Sequence, residues 1–187
     1  MRVLITGAGS YLGGAILGAL RKQGVEADEL DVRGALPEKA FQGYDRVVHV
    51  AGIAHRKETP ENRPLYEQVN HRLAVEIARA AKAQGVRQFV FFSTMSVYGK
   101  VTGRITADTQ PDPKNAYGAS KWAAEQEIAA LADEHFAVAV LRPPMIYGKG
   151  CRGNYQSLRR LILKTPMFPR CGNQRSMLYV GNLCLFM

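Results

Sequence analysis

Apolar positions along the chain fall into short continuous runs and longer periodic stretches that alternate from one end to the other. Arg2–Thr6 is an unbroken apolar run closed by glycines, the pattern of a parallel strand buried on both faces. Gly13–Gln23 spaces Ile16, Leu17 and Leu20 at helical intervals and meets Gly24 where a C-terminal cap belongs. A weaker strand is expected over Val25–Asp31 and a strong one over Arg46–Val50. Val69, Leu73 and Ile77 share one face of a helix expected from Leu65 to Gln84, with Gly85 behind it. Gln88–Ser93, aromatic and branched, predicts a strand, Ala116–Glu134 a long helix and Ala137–Leu141 a further strand. Ser157–Leu163 predicts a short helix and Met177–Val180 a last short strand. Strands separated by helical crossovers predict an α/β fold on a doubly wound parallel sheet. One connection departs from that plan: Val32–Asp45 is short and broken by Gly34 and Pro37, with little room for a crossover helix.

Composition narrows the class. Of 187 residues, 47% are hydrophobic and 22% charged, the balance of a globular protein with a real core, which excludes a disordered chain. No apolar run approaches the roughly 18 residues of a membrane span, and the chain enters MRVLITG without a signal peptide. Cys151, Cys171 and Cys184 are widely separated with no CxxC pair, as expected of reduced thiols in a cytoplasmic protein. His49, His55, His71 and His135 lack ligand spacing, so no metal site is expected. The net charge of +9 is uneven: all 16 acids lie before residue 135, while 135–187 carry eight bases and no acid. A nucleic-acid binder would use such a segment, but the interleaved aromatics of a base-stacking platform are missing. The acid-free segment and the apolar ending NLCLFM lead us to expect a chain truncated at its C-terminus, weakly active or inactive, and homo-oligomeric through uncovered apolar surface.

Candidate chemistry sits at two places. Thr6-Gly7-Ala8-Gly9-Ser10-Tyr11-Leu12-Gly13 joins the first strand to the first helix, where backbone N–H groups and a helix N-terminus can face a dinucleotide pyrophosphate. Its G-x-G-x-x-x-G spacing is one residue longer than the usual fingerprint. Asp31 ends the second strand, near the offset expected for an acid on the adenosine ribose. Arg33 beside it could instead meet the 2′-phosphate of NADP. Further along, Tyr117 and Lys121 are four residues apart and so share a helix face. A nearby ammonium, together with a nicotinamide cation, is expected to lower the phenol toward working pH. Ser93, Thr94 and Ser96 follow a strand and place hydroxyls at the same sheet edge, unless some serve only the turn. Trp122 and Ile128 are expected in the core.

TGAGSYLGG, HVAG (49–52), VN (69–70), FFSTMSVYG (91–99), NAYGASK (115–121) and LRPPMIYG (141–148) follow in order. Together they resemble the extended short-chain dehydrogenase/reductase superfamily, and within it the NAD-dependent epimerase/dehydratase family of the UDP-galactose 4-epimerase type. The resemblance implies a Rossmann domain over 1–150 and, over 151–187, the start of a substrate-binding region. It implies NAD, or NADP, held by Gly7, Gly9, Ser10, Tyr11, Leu12, Gly13, Asp31, Val32, Arg33, Ala51 and Gly52. Asn70, Ser93, Tyr117, Lys121 and Pro144 would complete that site, with Asn70 supporting the lysine. Thr94, Tyr117 and Lys121 correspond to the catalytic hydroxyl, the acid/base and its electrostatic partner. Ser96 and Arg175 would bind the substrate, a nucleotide sugar. The family's dehydratases carry an Asp-Glu pair after the threonine, where this chain has Met95-Ser96, and Met145 stands in place of a common substrate-binding Asn. An epimerase is favoured; a keto-sugar reductase and a catalytically silent dinucleotide-binding module are the alternatives.

Overall fold

The structure is a computed structural model that describes residues 1–54, 58–100, 102–151, 154–165 and 177–186. Five parallel strands, β1 (Arg2–Thr6), β2 (Glu26–Leu30), β3 (Arg46–His49), β4 (Gln88–Phe92) and β5 (Ala137–Leu141), form one sheet in the order β2-β1-β3-β4-β5. The register aligns their C-terminal ends: Thr6 lies opposite both Leu30 and His49, His49 opposite Phe91, and Phe92 opposite Leu141. Every crossover therefore delivers its following loop to a single edge, the one where ligands bind in such sheets.

Alternation along the strands divides the apolar side chains between two cores. Leu4, Val47, Phe89 and Phe91 face α3 (Leu73–Ala83) and α4 (Ala116–Ala129), packing on Ile77, Ala78, Ala124 and Ile128. Val3, Ile5, Val48, Val90 and Phe92 face the other way, toward Ile16 and Leu20 of α1 (Tyr11–Lys22) and Leu183 of α6 (Val180–Phe186). Helices on both faces make the sheet doubly wound, as expected.

The predicted elements hold with shifted ends. The helix expected from Leu65 starts at Arg63 as α2 (Arg63–Tyr66), passes through a π-helical turn over Glu67–Arg72, and continues as α3. The long helix stops at Ala129, not Glu134, because the Asp133 carboxylate accepts the His135 and Phe136 N–H groups and turns the chain into β5. No helix crosses between β2 and β3. That connection is tied down by Gln84, whose side chain accepts the Phe41 N–H and donates to the Glu38 carbonyl. Trp122 is only half-buried, its ring turned to Arg142, whereas Ile128 is fully buried. Beyond β5, the short strands β6 (Met145–Tyr147) and β7 (Met177–Tyr179) pair in parallel, and α5 (Asn154–Lys164) lies between them in sequence. Neither β6 nor α6 shows in the periodicity. No described helix is long and apolar enough to cross a membrane.

Candidate active site

The crevice at the C-terminal edge of the sheet holds two cavities, of about 850 and 780 Å³, which share Val50, Gly52 and Ile53. Gly7, Ser10, Asp31, Val32, Arg33 and Ala51 line the first. Tyr11, Leu12, Ser93, Thr94, Ser96, Tyr117, Lys121 and Pro144 line the second. Gly13 and Asn70 are buried behind these walls, Gly9 is exposed on the loop, and Arg175 falls outside the described residues.

Local chemistry shapes the first cavity. Gly7 turns at φ 100, where a Cβ would also press on the Ala51 backbone at 3.1 Å. Gly9, at φ 72, leaves open space above the loop. The Ser10 side chain caps α1 by accepting the Gly13 N–H at 3.0 Å, and a Cβ at Gly13 would sit 2.8 Å from that hydroxyl. Asp31 is not free: Arg33 grips both its oxygens, Nη2 at 2.5 Å, and this pairing draws the carboxyl down to about 2. The sequence left the acid and the base as alternatives; the fold joins them in one pair.

Buried Ser93, Thr94 and Lys121 with half-buried Tyr117 form the second. Thr94 opens a short 3-10 turn, Met95–Tyr98, and its hydroxyl accepts the Ser96 N–H at 3.1 Å. Asn115 caps α4 by accepting the Gly118 N–H at 2.7 Å. A Cβ at Gly118 would stand 2.6 Å from the Ser96 carbonyl, so glycine lets the helix bring Tyr117 against the hydroxyl turn. Lys121 is 4% exposed; its Nζ donates to the Phe92 carbonyl at 2.9 Å and lies 4.6 Å over the Phe91 ring. Asn70, in the π-helical turn, exchanges two hydrogen bonds with the Ile53 backbone at 2.8 and 3.0 Å. A Cβ at Gly52 would strike Asn70 Oδ1 at 2.9 Å and crowd Lys121 Nζ at 3.3 Å, so these side chains converge only because residue 52 is glycine. The Ser93 Oγ and Tyr11 hydroxyl are buried with no protein partner.

Burial pushes the Tyr117 phenol above its ordinary value, and the group that opposes burial is the Thr94 hydroxyl rather than the Lys121 ammonium. Lys121 is engaged with the Phe92 carbonyl, and its own burial draws it down to about 8.

Sequence reasoning missed Glu58. Its Oε2 accepts the Ala116 N–H at 2.7 Å, its Oε1 accepts from Arg63 Nε at 2.7 Å, and it lines the second cavity. The Ala116 N–H foremost, with Arg63, holds its carboxyl below the usual range against the cost of burial. Tyr66 was also missed; its ring meets that of Tyr117 edge-on at 6.3 Å. No local pattern marks either residue, because each acts on a helix 51 to 58 residues further on. His49 is fully buried, bonded to Thr6 at 2.8 Å and stacked on Phe89 and Phe91, and burial drives it down to about 3. His71 joins Glu67 to Glu127, and no group of three metal-ligating side chains occurs among the described residues.

Comparison with known proteins gives a consistent picture. The model of the NAD dependent epimerase/dehydratase family matches residues 3–183. A UDP-glucose 4-epimerase of Vibrio cholerae is 36% identical over 146 residues, covering 73% of this chain and 44% of the relative. An N-acetyl-alpha-D-glucosaminyl-diphospho-ditrans,octacis-undecaprenol 4-epimerase of Escherichia coli O157:H7 is 32% identical over 154 residues, covering 80% of this chain and 46% of the relative. The chain thus spans less than half the length of these two relatives. The solved UDP-glucose 4-epimerase of Thermus thermophilus, in complex with NAD, superposes with a TM-score of 0.81 at 26% identity, covering 99% of this chain and 72% of that one.

Proposed function

The chain belongs to the NAD dependent epimerase/dehydratase family, and from that premise we propose that it epimerises a nucleotide sugar by transient oxidation of a sugar hydroxyl, with NAD as cofactor. The observation that carries this reading is that Thr94, Tyr117 and Lys121 line one cavity, which joins the glycine-loop cavity at Gly52. The residues present fit a dinucleotide. Open space lies above Gly9, and the unpartnered Ser93 and Tyr11 hydroxyls sit further along the crevice. Gly7, Gly9, Ser10 and Gly13 would hold the pyrophosphate, Asp31 or Arg33 the adenosine ribose, and Lys121 the nicotinamide ribose. NAD supplies an acceptor that takes a hydride and returns it.

Around that group the chain's own residues move and hold protons. Tyr117 takes the proton of the reacting hydroxyl, and Lys121 keeps positive charge in the same buried space. Thr94, its side chain oriented by the Ser96 N–H, fixes the reacting oxygen. Met95 and Ser96 offer no acid–base pair beside Thr94, so elimination of water has no agent in this turn. Ser96 and, from 151–187, Arg175 would meet the sugar nucleotide. The test combines purified protein, NAD and a UDP-hexose, with NMR following the sugar. Interconversion of C4 epimers without net NADH supports the proposal. Net consumption of NADH on a keto sugar replaces it with a reductase. Calorimetry that finds no binding of NAD or NADP overturns it.

A further inference from the structure

Behind the second cavity lies a charged network that the proposed chemistry leaves unused. Arg142, one residue beyond β5, directs Nε and Nη2 to the Glu125 carboxylate at 2.5 to 3.1 Å and Nη1 to the Tyr98 hydroxyl at 2.6 Å. Its guanidinium also lies over the Tyr98 and Trp122 rings, at 5.0 and 5.4 Å. Tyr98 ends the turn that Thr94 begins, and Glu125 sits on α4 one helical turn beyond Lys121. The network thus links the hydroxyl-bearing turn to the helix that carries Tyr117 and Lys121.

A buried ion pair is weak evidence for stability, since apolar residues of similar volume often do as well. The surroundings of Lys121 give this one another use. Lys121 and Glu125 are 4% and 3% exposed. From β3, Lys121 is faced by His49, neutral above about pH 3. From the π-helical turn it is approached by Asn70, whose amide is committed to Ile53. From β4 come the Phe92 carbonyl and the Phe91 ring, and from α4 come Tyr117 and Glu125. Glu125 is the one formal negative charge among these groups. Its pull on Lys121 opposes the effect of burial, and Arg142 Nη2 holds it at 2.5 Å.

We propose that Glu125 and Arg142 are positioning residues: the Glu125 carboxylate supplies the charge that keeps the buried Lys121 an ammonium, while the Arg142–Tyr98 contact ties the Thr94 turn to the same helix. The proposal rests on the Lys121 role given above only for its consequence in turnover, so its first test needs neither substrate nor cofactor. The Lys121 Nζ is titrated by nitrogen-detected NMR in the purified protein. In Glu125→Gln its midpoint should fall by about one pH unit. The double variant Glu125→Met/Arg142→Met, which exchanges the pair for apolar side chains and so removes a nearby cation as well, should lower it by less than the single variant and serves if that one does not fold. An unchanged midpoint in a folded variant overturns the proposal, as does a wild-type midpoint at or below about pH 6.5, where a carboxylate would be giving no support. In an active enzyme, the alkaline limb of kcat should move to lower pH by the same amount with KM nearly unchanged. Absence of turnover in the wild type would sink the epimerase reading and leave the titration intact.

Discussion

Over β1 and β2 the crevice is walled by backbone and by charges that face water, whereas over β4 and α4 it is walled by side chains taken out of water. Asp31 and Lys121 show the consequence. Asp31 stands far below its ordinary value because Arg33 grips it, in a pair whose side chains are 48% and 84% exposed. Lys121 is shifted because burial penalises its charge, with only Glu125 opposing. In the first half a lost partner is replaced by solvent, and effects stay small. In the second, nothing replaces a lost partner, so each group depends on the next.

Substitutions on the two sides should therefore differ in size. Tyr117→Phe should lower turnover by roughly 10²–10⁴-fold while calorimetry finds NAD affinity unchanged; equal activity in that variant would remove the phenol from the reaction. Gly118→Ala forces a Cβ against the Ser96 carbonyl at 2.6 Å. It should destabilise by about 1–3 kcal/mol, read as a lower midpoint in urea, and an unaltered midpoint would show that the helix can stand off from the turn. His49, driven down to about 3 by burial, should make the fold acid-sensitive. Unfolded histidine takes up a proton below about pH 6.5 and the folded one does not, so stability is full above that value. It should then fall by about 1.4 kcal/mol for each pH unit down to about 3. Denaturant titrations at several pH values check the slope, and His49→Asn should flatten it. Asp31→Asn, in the water-facing half, should weaken NAD binding by only about threefold. A loss as large as that caused in turnover by Tyr117→Phe would erase the contrast between the halves.

Much of this arrangement was legible in the amino-acid order, and the misses share a cause. The aromatic, branched run Gln88–Ser93 predicted β4, and strand–helix order implied the doubly wound sheet that the structure shows. The four-residue spacing of Tyr117 and Lys121 put them on one helix face, and both line the second cavity. Legibility failed where a side chain's partner is remote. Glu58 reaches the Ala116 N–H 58 residues away, and Arg142 reaches Tyr98 across 44. The partner of the Lys121 ammonium was hidden for the same reason: spacing placed Lys121 with Tyr117, but the Phe92 carbonyl that it donates to lies on another element.

By itself, then, the sequence determined the five strands of the main sheet, the helices between them, the glycine loop and the spacing of the candidate reactive pair. These depend on backbone periodicity and on conformational freedom at single residues, both of which are local. Tertiary structure alone decided that Glu58 holds the start of α4, that Arg142 reaches back to Tyr98, and that Glu125 stands between Lys121 and Arg142. A charge or donor has many possible partners along a flexible chain, and only packing, by excluding water and fixing distances, selects one.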